Sequence, residues 1–357
     1  MTSLLHAGSA RSATDLHLAR LATPAVPVTP VREGILQLDQ PLPLHLGGRL
    51  DAVRVAWRVT GNPHGPLVAA LGGISAGRAV ADIGTSEKGW WCEVIGPGKA
   101  LDAERYQVLG IDFLGGSGAT TGPRAGQTNF PSISTYDQAE ILRRVLEHLH
   151  ASLAAIVGAS YGGMVALAFA ERYPQLVKHA VAISAADRAH PMATAWRSVQ
   201  RAMVRYAARN GDAPEGLRLA RALAMATYRS PEEFAARFGG APSRIDGRFQ
   251  FPVESYLLAR GDAYAATYVP EAFVCLSESI DLHQVDATRI RVPVTLVAIL
   301  EDQLIPISDM RSLRARLGGD ASLVEISSLY GHDAFLKEDS ALQPVFAGAL
   351  AGQGGAS

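Results

Sequence analysis

The sequence predicts an α/β fold in which a mostly parallel, doubly wound sheet carries an inserted helical lid. Six short apolar runs rich in Val, Ile, Leu and Ala indicate strands that are buried on both faces. These runs cover residues 66–71, 106–111, 153–157, 179–184, 292–299 and 322–326. Helical patterns lie between them at residues 135–149 and 162–173, and again from Asp333 onward. Strands and helices in alternation are typical of a parallel sheet with helices on both faces.

Two features are predicted ahead of the first buried strand. Residues 1–30 are expected to form a flexible N-terminal arm, because residues 23–30 are rich in Pro and Thr. Residues 53–60 alternate apolar and polar side chains. Such alternation indicates a strand that belongs to an antiparallel pair at the edge of the sheet.

Residues 187–285 are predicted to form the helical lid, between two parts of the α/β core at residues 31–186 and 286–357. The lid segment has little strand pattern. Residues 197–209 and 216–228 within it are rich in Ala, Leu, Met and Arg, which favour helices.

Composition excludes several classes of protein. The chain has 357 residues, 48% of them hydrophobic, with 33 Lys and Arg against 34 Asp and Glu. The hydrophobic fraction excludes a largely disordered chain, which would bury less apolar surface. A net charge of −1 gives no reason to expect nucleic acid or an anionic membrane as partner. Two cysteines provide neither a disulfide framework nor a thiolate zinc site. No targeting or membrane-spanning segment is apparent, so we expect a cytoplasmic protein. We also expect a protein that holds no metal and acts on small molecules.

A serine nucleophile is the strongest functional signal. The buried strand at residues 153–157 runs into Gly-Ala-Ser-Tyr-Gly at residues 158–162, and a predicted helix follows. Small residues two positions before and after Ser160 permit a tight turn that lifts its Oγ above the sheet. This context favours a nucleophile over a turn without chemistry.

An acid and a base follow in the order that this kind of site requires, which is Ser, then Asp or Glu, then His. Asp302 follows the strand at residues 292–299, and His332 follows the strand at residues 322–326. Both should emerge at the carboxyl edge of the sheet beside Ser160. We prefer Asp302 to its neighbour Glu301 as the acid. The pattern as a whole predicts an α/β-hydrolase with a Ser–Asp–His triad.

An oxyanion hole needs two backbone N–H donors near the nucleophile. One is expected from Tyr161, the residue after Ser160. The other is expected from the loop that follows residues 66–71, and we assign it to Leu71. A turn without this function is the competing interpretation of the glycines in that loop.

Longer motifs resemble the homoserine O-acyltransferase family of methionine biosynthesis. Gly-Pro-Gly-Lys-Ala at residues 96–100, and Leu-Gly-Gly followed by Thr-Gly-Pro within residues 114–123, match that family's ordered string. Gly-Leu-Arg-Leu-Ala-Arg at residues 216–221 and Asp-Leu-His at residues 281–283 match further segments. The resemblance covers residues 50–336 and places the family's nucleophile, acid and base on the three residues already named.

The resemblance also implies substrates and two further site residues. Arg221 is expected to bind the carboxylate of L-homoserine, and Asp333 its ammonium group, which suits a zwitterion. The residues alone would favour a solvated helix Arg and a helix N-cap Asp. Acyl-CoA is implied as the co-substrate, with no tightly bound cofactor, in a ping-pong reaction through an acyl-serine. A homodimer formed through the lid helices is implied as well.

Departures from the family pattern bear on the acyl donor. Tyr161 stands where the family has Met, Asp112 stands where it has Asn, and residues 70–75 read Ala-Leu-Gly-Gly-Ile-Ser in place of Ala-Leu-Thr-Gly. These changes are expected to alter the acyl pocket, and they resemble a branch associated with succinyl transfer. Ser75, Arg78 and Lys88 are the candidate partners of a succinyl carboxylate, and a solvated loop residue is the competing interpretation of each. We therefore favour succinyl-CoA over acetyl-CoA. Serine as acceptor, and an esterase or thioesterase on the same triad, stay open as alternatives.

Overall fold

A computed structural model describes residues 30–83 and 87–351. The main sheet within these residues has eight strands: β1 (Val31–Gln37), β2 (Arg54–Gly61), β3 (Leu67–Leu71), β4 (Gln107–Ile111), β5 (Ala155–Ala159), β6 (Ala180–Ile183), β7 (Val294–Ile299) and β8 (Ala321–Ile326). All six predicted strands are present to within two residues at each end. Five of them are buried, but β8 is an edge strand whose residues are all partly or fully exposed, so the prediction of burial is wrong there. The predicted arm, residues 1–30, lies outside the described residues apart from Pro30.

The strand order is β1-β2-β4-β3-β5-β6-β7-β8. β2 is antiparallel to both β1 and β4, and the remaining neighbours are parallel. After β4 the chain crosses back over β3 to form β5, so the winding direction reverses between β3 and β5. Ligands bind at such a reversal, at the carboxyl ends of the strands. The sheet order therefore places the site beside the ends of β3 and β5.

The expectation that residues 53–60 belong to an antiparallel pair at the edge of the sheet is confirmed, because β2 pairs with the outermost strand, β1. β1 was not predicted, and it covers the open edge of β2 along its whole length. Every residue of β2 after Arg54 is buried, including Arg58. The guanidinium of Arg58 lies 2.6 Å from Glu33 of β1 and 3.0 Å from Glu87. The alternation reflects this paired charge and not a face toward water.

Helices cover both faces of the sheet, which confirms the doubly wound fold. They are α1 (Thr135–His148), α2 (Tyr161–Arg172), α8 (Ile307–Arg316) and α9 (Asp339–Ala349). Side chains of α1, α2 and α8 pack into one core, and those of α9 pack into the core on the opposite face. The helix predicted from Asp333 onward is first a 3₁₀ turn, Gly331–Leu336, and then α9.

The lid lies between β6 and β7 and contains five helices in the described chain: α3 (Pro191–Arg209), α4 (Ala213–Tyr228), α5 (Pro231–Phe238), α6 (Pro252–Ala265) and α7 (Pro270–Asp281). Four of the five begin with Pro at the first helical position, where its missing N–H costs no hydrogen bond. A short hairpin, Ser243–Ile245 with Arg248–Gln250, joins α5 to α6.

The remaining elements are small. They are the paired segments Leu42–Pro43 with Arg49–Leu50 and Ile95–Gly96 with Leu101–Asp102, and the 3₁₀ turns Pro174–Leu176 and Ala287–Arg289. Among the helices described, none is both long enough and apolar enough to cross a bilayer.

The lid joins the core through a neck formed by its two connecting segments. The Val285 N–H donates to the Asp187 carbonyl at 3.0 Å. The buried His283 lies between the two segments, with Nδ1 2.8 Å from the Thr135 hydroxyl of α1 and Nε2 3.1 Å from the Ala186 carbonyl. These contacts fix the lid to the core next to the carboxyl edge of the sheet.

Candidate active site

Ser160 occupies a sharp turn between β5 and α2, which we call the elbow (residues 158–162). Its φ of 55° and ψ of −121° lie in a region that residues other than Gly rarely adopt. A Cβ atom on Gly158 would lie 2.1 Å from the Gly162 carbonyl, and one on Gly162 would lie 2.2 Å from the Leu71 carbonyl. The elbow can therefore form only with glycine on both sides of Ser160.

The structure brings the three predicted triad side chains together. The Ser160 Oγ lies 2.8 Å from His332 Nε2, and His332 Nδ1 lies 2.7 Å from Asp302 Oδ2. The other carboxylate oxygen of Asp302 accepts the backbone N–H groups of Leu304 at 2.8 Å and Ile305 at 3.1 Å. These bonds orient the acid, and the acid orients the imidazole so that Nε2 can accept the serine proton.

The alternative acid, Glu301, faces elsewhere. Its carboxylate accepts hydrogen bonds from the Ser327 hydroxyl at 2.5 Å and the Ser328 N–H at 2.8 Å. Because Asp302 alone of the two reaches His332, the geometry favours the choice of Asp302.

The surroundings of His332 raise its pKa. Burial by itself lowers the pKa of the imidazole, since the charged form loses hydration. The charge and hydrogen bond of Asp302, together with the charge of Asp333, outweigh burial and raise the pKa above the ordinary 6.5. An imidazole stabilised in its charged form is a stronger base toward the serine hydroxyl.

The N-terminus of α2 provides a free backbone donor beside Ser160. The first N–H groups of a helix have no partner within it. Those of Gly162, Gly163 and Met164 donate to the carbonyls of Gly72 or Ser160 at 2.8 to 3.1 Å. No acceptor in the described chain takes the N–H of Tyr161, which leaves it available to an oxyanion.

The second predicted donor, Leu71, is the last residue of β3 and pairs with Gly158 of β5. It adjoins the elbow, but the next residues of the same loop, Gly73 and Ile74, are the ones that line the cavity at Ser160. The assignment of Leu71 stays a prediction.

The side chain of Tyr161 points away from the cavity. It is buried behind Ser160, with its hydroxyl 2.7 Å from the Ser279 hydroxyl and 3.1 Å from the Gln138 amide, which donates to it. Its ring packs edge-on against Phe113 at 5.0 Å. The Tyr161 side chain therefore joins α2 to α1 and α7. Contrary to the expectation from the family pattern, it does not line the acyl pocket.

An outer cavity of about 200 Å³ opens onto Ser160 and His332, and both predicted substrate-binding residues line it. The Arg221 guanidinium lies 4.7 Å over the ring of Tyr264 and 5.4 Å over that of Tyr228. Within the described residues it has no carboxylate partner. A cation held between aromatic rings and free of any acid is available to a ligand carboxylate.

Asp333 supplies the opposite charge to the same cavity. Burial raises the pKa of its carboxyl above the ordinary value, although the charges of Arg229, His332 and Arg221 lower it. Its Oδ2 lies 3.2 Å from the Arg229 Nε. A buried carboxylate with a raised pKa gains most from a cation that enters the cavity, such as an ammonium group.

Of the three candidate partners of a succinyl carboxylate, Ser75 lines the outer cavity, but Arg78 and Lys88 do not. Arg78 donates to Asp112 from Nη1 at 2.6 Å and from its backbone N–H at 2.8 Å, and it does not line the cavity. Lys88 is exposed and lies outside the lining as well. Asp112 thus holds Arg78 in place and has no contact with the site.

Sequence reasoning missed two groups of the site. Tyr228, which ends α4, packs its ring 5.8 Å from that of His332. Arg197 of α3 lines a second cavity at Ser160. No local pattern separates Arg197 from the many other arginines of the lid helices, because its burial depends on α7, far along the chain.

Comparison with known proteins gives both a fold and relatives. A family model described as alpha/beta hydrolase fold matches residues 71–339. A homoserine O-succinyltransferase of Xanthomonas campestris pv. campestris is 39% identical over 95% of this chain and 90% of its own length. A serine O-succinyltransferase of Litchfieldella anticariensis is 32% identical over 88% of this chain and 97% of its own.

The structural comparison agrees on the fold. The crystal structure of a homoserine O-acetyltransferase from Bacillus anthracis superposes with a TM-score of 0.82, at 18% identity, over 92% of this chain and 99% of that one. At that identity the likeness concerns the arrangement of strands and helices.

Proposed function

The chain belongs to the homoserine O-acyltransferase family of α/β-hydrolases, and on that premise we propose that it transfers an acyl group from acyl-CoA to the hydroxyl of L-homoserine. The observation that carries the proposal is the outer cavity. Ser160 and His332 share it with Arg221, a cation without an acid partner, and with Asp333, a buried acid. These two charges match the carboxylate and ammonium of an amino acid whose side-chain hydroxyl points at the triad.

The first half-reaction acylates Ser160. His332 Nε2 takes the proton of the Ser160 hydroxyl while Oγ attacks the thioester carbon, and Asp302 stabilises the imidazolium. The Tyr161 N–H and a second donor, assigned to Leu71, bind the oxyanion. The carbon–sulfur bond then breaks, the CoA thiolate takes the proton from His332, and an acyl ester remains on Ser160.

The second half-reaction transfers the acyl group. Arg221 binds the carboxylate of homoserine and Asp333 its ammonium, which brings the hydroxyl to His332. His332 removes the hydroxyl proton as the oxygen attacks the acyl carbon. The bond to Ser160 breaks, and His332 returns the proton to Ser160. No metal or bound cofactor takes part in either step.

Succinyl-CoA is the proposed donor and homoserine the proposed acceptor. The relative that is 39% identical over nearly the whole chain is named a homoserine O-succinyltransferase, which supports a succinyl group and homoserine. Serine is the second candidate acceptor, because a relative at 32% identity is a serine O-succinyltransferase. Acyl transfer to homoserine would place the chain in methionine biosynthesis. The cytoplasmic location stays a prediction from the sequence.

A homodimer through the lid is proposed as well. Met192, Val199 and Tyr206 recur every seven residues along α3 and are about half exposed or more, at 53%, 49% and 66%. Residues at this spacing lie on one face of a helix. Leu219 of the neighbouring α4 is 40% exposed. An apolar stripe of this kind supports a symmetric contact with a second copy.

The test is a matrix of donors and acceptors. Succinyl-CoA and acetyl-CoA are each assayed with L-homoserine, L-serine and water, and Ser160→Ala serves as the control. We expect CoA release that depends on homoserine and kcat/KM highest with succinyl-CoA. CoA release at the same rate with and without an acceptor would identify a hydrolase. A higher kcat/KM with serine, or with acetyl-CoA, would replace that one assignment.

A further inference from the structure

A second, inner cavity of about 40 Å³ extends from Ser160 and His332 into the lid. Most of its lining is apolar, with Met164 of α2 and Leu304 after β7 among the residues that form it. Arg197 and Gln200 of α3 are polar members of the same lining. The cavity thus brings a reactive serine, apolar walls and a cationic side chain together.

The charge at the polar side is unbalanced. Arg197 and Arg201, one turn apart on α3, both pair with the single carboxylate of Asp281 on α7. The exposed fraction of each side chain is only about a tenth, at 11%, 11% and 9%. Glu278, one turn earlier on α7, is directed to the Ser132 hydroxyl at 3.0 Å. Among the described residues, two buried cations thus share one buried carboxylate, which leaves this cluster with one excess positive charge.

Arg197 is the member of this cluster with donors to spare. Arg201 is engaged, because its Nη1 donates to Asp281 and to the carbonyl and hydroxyl of Ser277 at 2.5 to 3.1 Å. Arg197 donates from Nε to Asp281 Oδ1 at 2.7 Å. Its buried Nη2 is ion-paired with the same oxygen at 2.6 Å but forms no well-aligned hydrogen bond in the described chain. A buried guanidinium donor without a well-aligned acceptor is stabilised by a ligand that supplies one.

Gln200 adds a neutral donor at the same place. It is only 4% exposed and lies three residues after Arg197, on the same face of α3. Its side-chain amide has no hydrogen-bond partner among the residues that the structure describes. Arg197, which shares its carboxylate partner with Arg201, and the Gln200 amide lie in the wall of one cavity.

We propose that Arg197, assisted by Gln200, binds the distal carboxylate of the succinyl group while its other end is esterified to Ser160. The inference rests on the proposed acyl transfer and names the residues that set donor specificity. The two methylene groups of succinyl would lie against the apolar walls, and the carboxylate would complete the pairing of the Arg197–Asp281–Arg201 cluster. Arg221 is left free for the acceptor in the outer cavity, so the donor and the acceptor each have an arginine of their own.

The effect of Arg197 on the pKa of His332 is consistent with a short distance between Arg197 and the triad. The positive charge of Arg197 is one of the charges that act on His332, and it lowers the pKa of that imidazole. A succinyl carboxylate beside Arg197 would cancel this effect. The cation therefore acts on the reacting groups, and is not confined to packing between α3 and α7.

The experiment compares donors that differ only at the distal group. Succinyl-CoA and butyryl-CoA have acyl chains of equal length, which end in a carboxylate and a methyl group. The rate of Ser160 acylation by each is measured by rapid quenching and intact-protein mass spectrometry, in the wild type and in Arg197→Gln, Arg197→Lys and Gln200→Leu. Arg248→Gln, at an exposed arginine of the lid hairpin, is the matched control.

Arg197→Gln is expected to lower acylation by succinyl-CoA roughly ten- to a hundredfold, because a charge-assisted hydrogen bond is lost. Acylation by butyryl-CoA should stay within about threefold. Arg197→Lys should recover part of the loss, and Gln200→Leu should show a smaller loss with the same selectivity. Asp281 keeps Arg201 as a partner in Arg197→Gln. Gln200→Leu leaves the ion pairs untouched, so it carries the test should Arg197→Gln fail to fold.

Equal losses with both donors, or no loss with either, would overturn the inference and make Arg197 a structural residue. A raised KM for homoserine with acetyl-CoA as donor would instead assign Arg197 to the acceptor. Acylation is measured without homoserine, so a failure of homoserine as acceptor leaves this result intact. Absence of any acyl adduct on wild-type Ser160 would remove the proposed covalent mechanism itself.

Discussion

Ser160 is held by its neighbours in a backbone conformation that costs about 1–3 kcal/mol. Its side chain contributes no core packing, so Ser160→Ala should fold normally. We expect kcat to fall by roughly 10⁴- to 10⁶-fold, as when a triad nucleophile is removed. Steady-state assays and circular dichroism measure the two effects. Near-normal turnover in the folded variant would contradict the acyl-serine mechanism.

The pKa of His332 determines how activity depends on pH. Acylation needs the neutral imidazole, and the folded protein raises its pKa above 6.5. The acidic limb of kcat/KM for acyl-CoA should therefore have its midpoint above pH 6.5. The same shift stabilises the folded state below pH 6.5, and this contribution is lost as the pH rises through the folded pKa.

Replacement of Asp302 separates the causes of that shift. Asp302→Asn leaves His332 buried, which lowers its pKa, but removes the charge that raises it. We expect the His332 imidazole resonance to titrate at lower pH in Asp302→Asn than in the wild type. An unchanged titration would mean that Asp302 does not control the base.

Arg221 should act on the second half-reaction alone. In Arg221→Gln we expect the acyl-enzyme to form from succinyl-CoA at about the wild-type rate. The kcat/KM for homoserine should fall roughly ten- to a hundredfold, since the contact to the substrate carboxylate is lost. Stopped-flow measurement of each half-reaction distinguishes the two. Equal losses in both would place Arg221 on CoA or in the structure.

At the scale of elements, the neck of the lid should be sensitive to acid. Burial lowers the pKa of His283 to about 4, from an ordinary 6.5. A group with a lowered pKa in the folded state destabilises that state as the pH falls below the unfolded value. By linkage, this amounts to about 2 kcal/mol between pH 7 and pH 5.

The comparison protein for this effect is His283→Gln, which retains polar groups at the neck but does not titrate. Urea unfolding at pH 7 and pH 5 gives the free energy of unfolding of both proteins. We expect the wild type to lose about 2 kcal/mol more than His283→Gln over this interval. Parallel losses in the two proteins would show that other groups control acid stability.

Local sequence was enough to predict the elements that carry the triad. The elbow depends on Gly158 and Gly162 beside a buried strand, and Asp302 and His332 follow recognisable strands. β1 was missed because its pairing with β2 is decided by residues distant in sequence, including the ion pair of Arg58 with Glu33. Contacts of this kind have no local signature.

The same limit applied to the charged groups of the site. Arg78 was expected in the acyl pocket because it follows the right strand, yet Asp112 holds it elsewhere. Arg197 was passed over because nothing in α3 alone shows that Asp281 of α7 buries it. The order of functional residues along the chain could be predicted, but the direction of each arginine side chain depended on tertiary partners.

At the scale of the whole molecule, the apolar stripe of α3 predicts the oligomeric state. Val199→Glu would place a charge on both sides of a symmetric contact, where no partner could neutralise it. We expect sedimentation at micromolar concentration to give a dimer for the wild type and a monomer for Val199→Glu. A monomeric wild type would refute the proposed homodimer.

Because the lid lies between β6 and β7, the parts of the active site are synthesised at different times. A ribosome releases Ser160 first, then the whole lid, and only afterwards Asp302 and His332. At about 5–20 residues per second, many seconds separate the nucleophile from the groups that activate it. During that interval Ser160 does not react with cellular thioesters, because the nascent chain still lacks Asp302 and His332. Ser160 gains its acid and base only when β7 and β8 have joined the sheet, and by that time the five helices of the lid have already been synthesised.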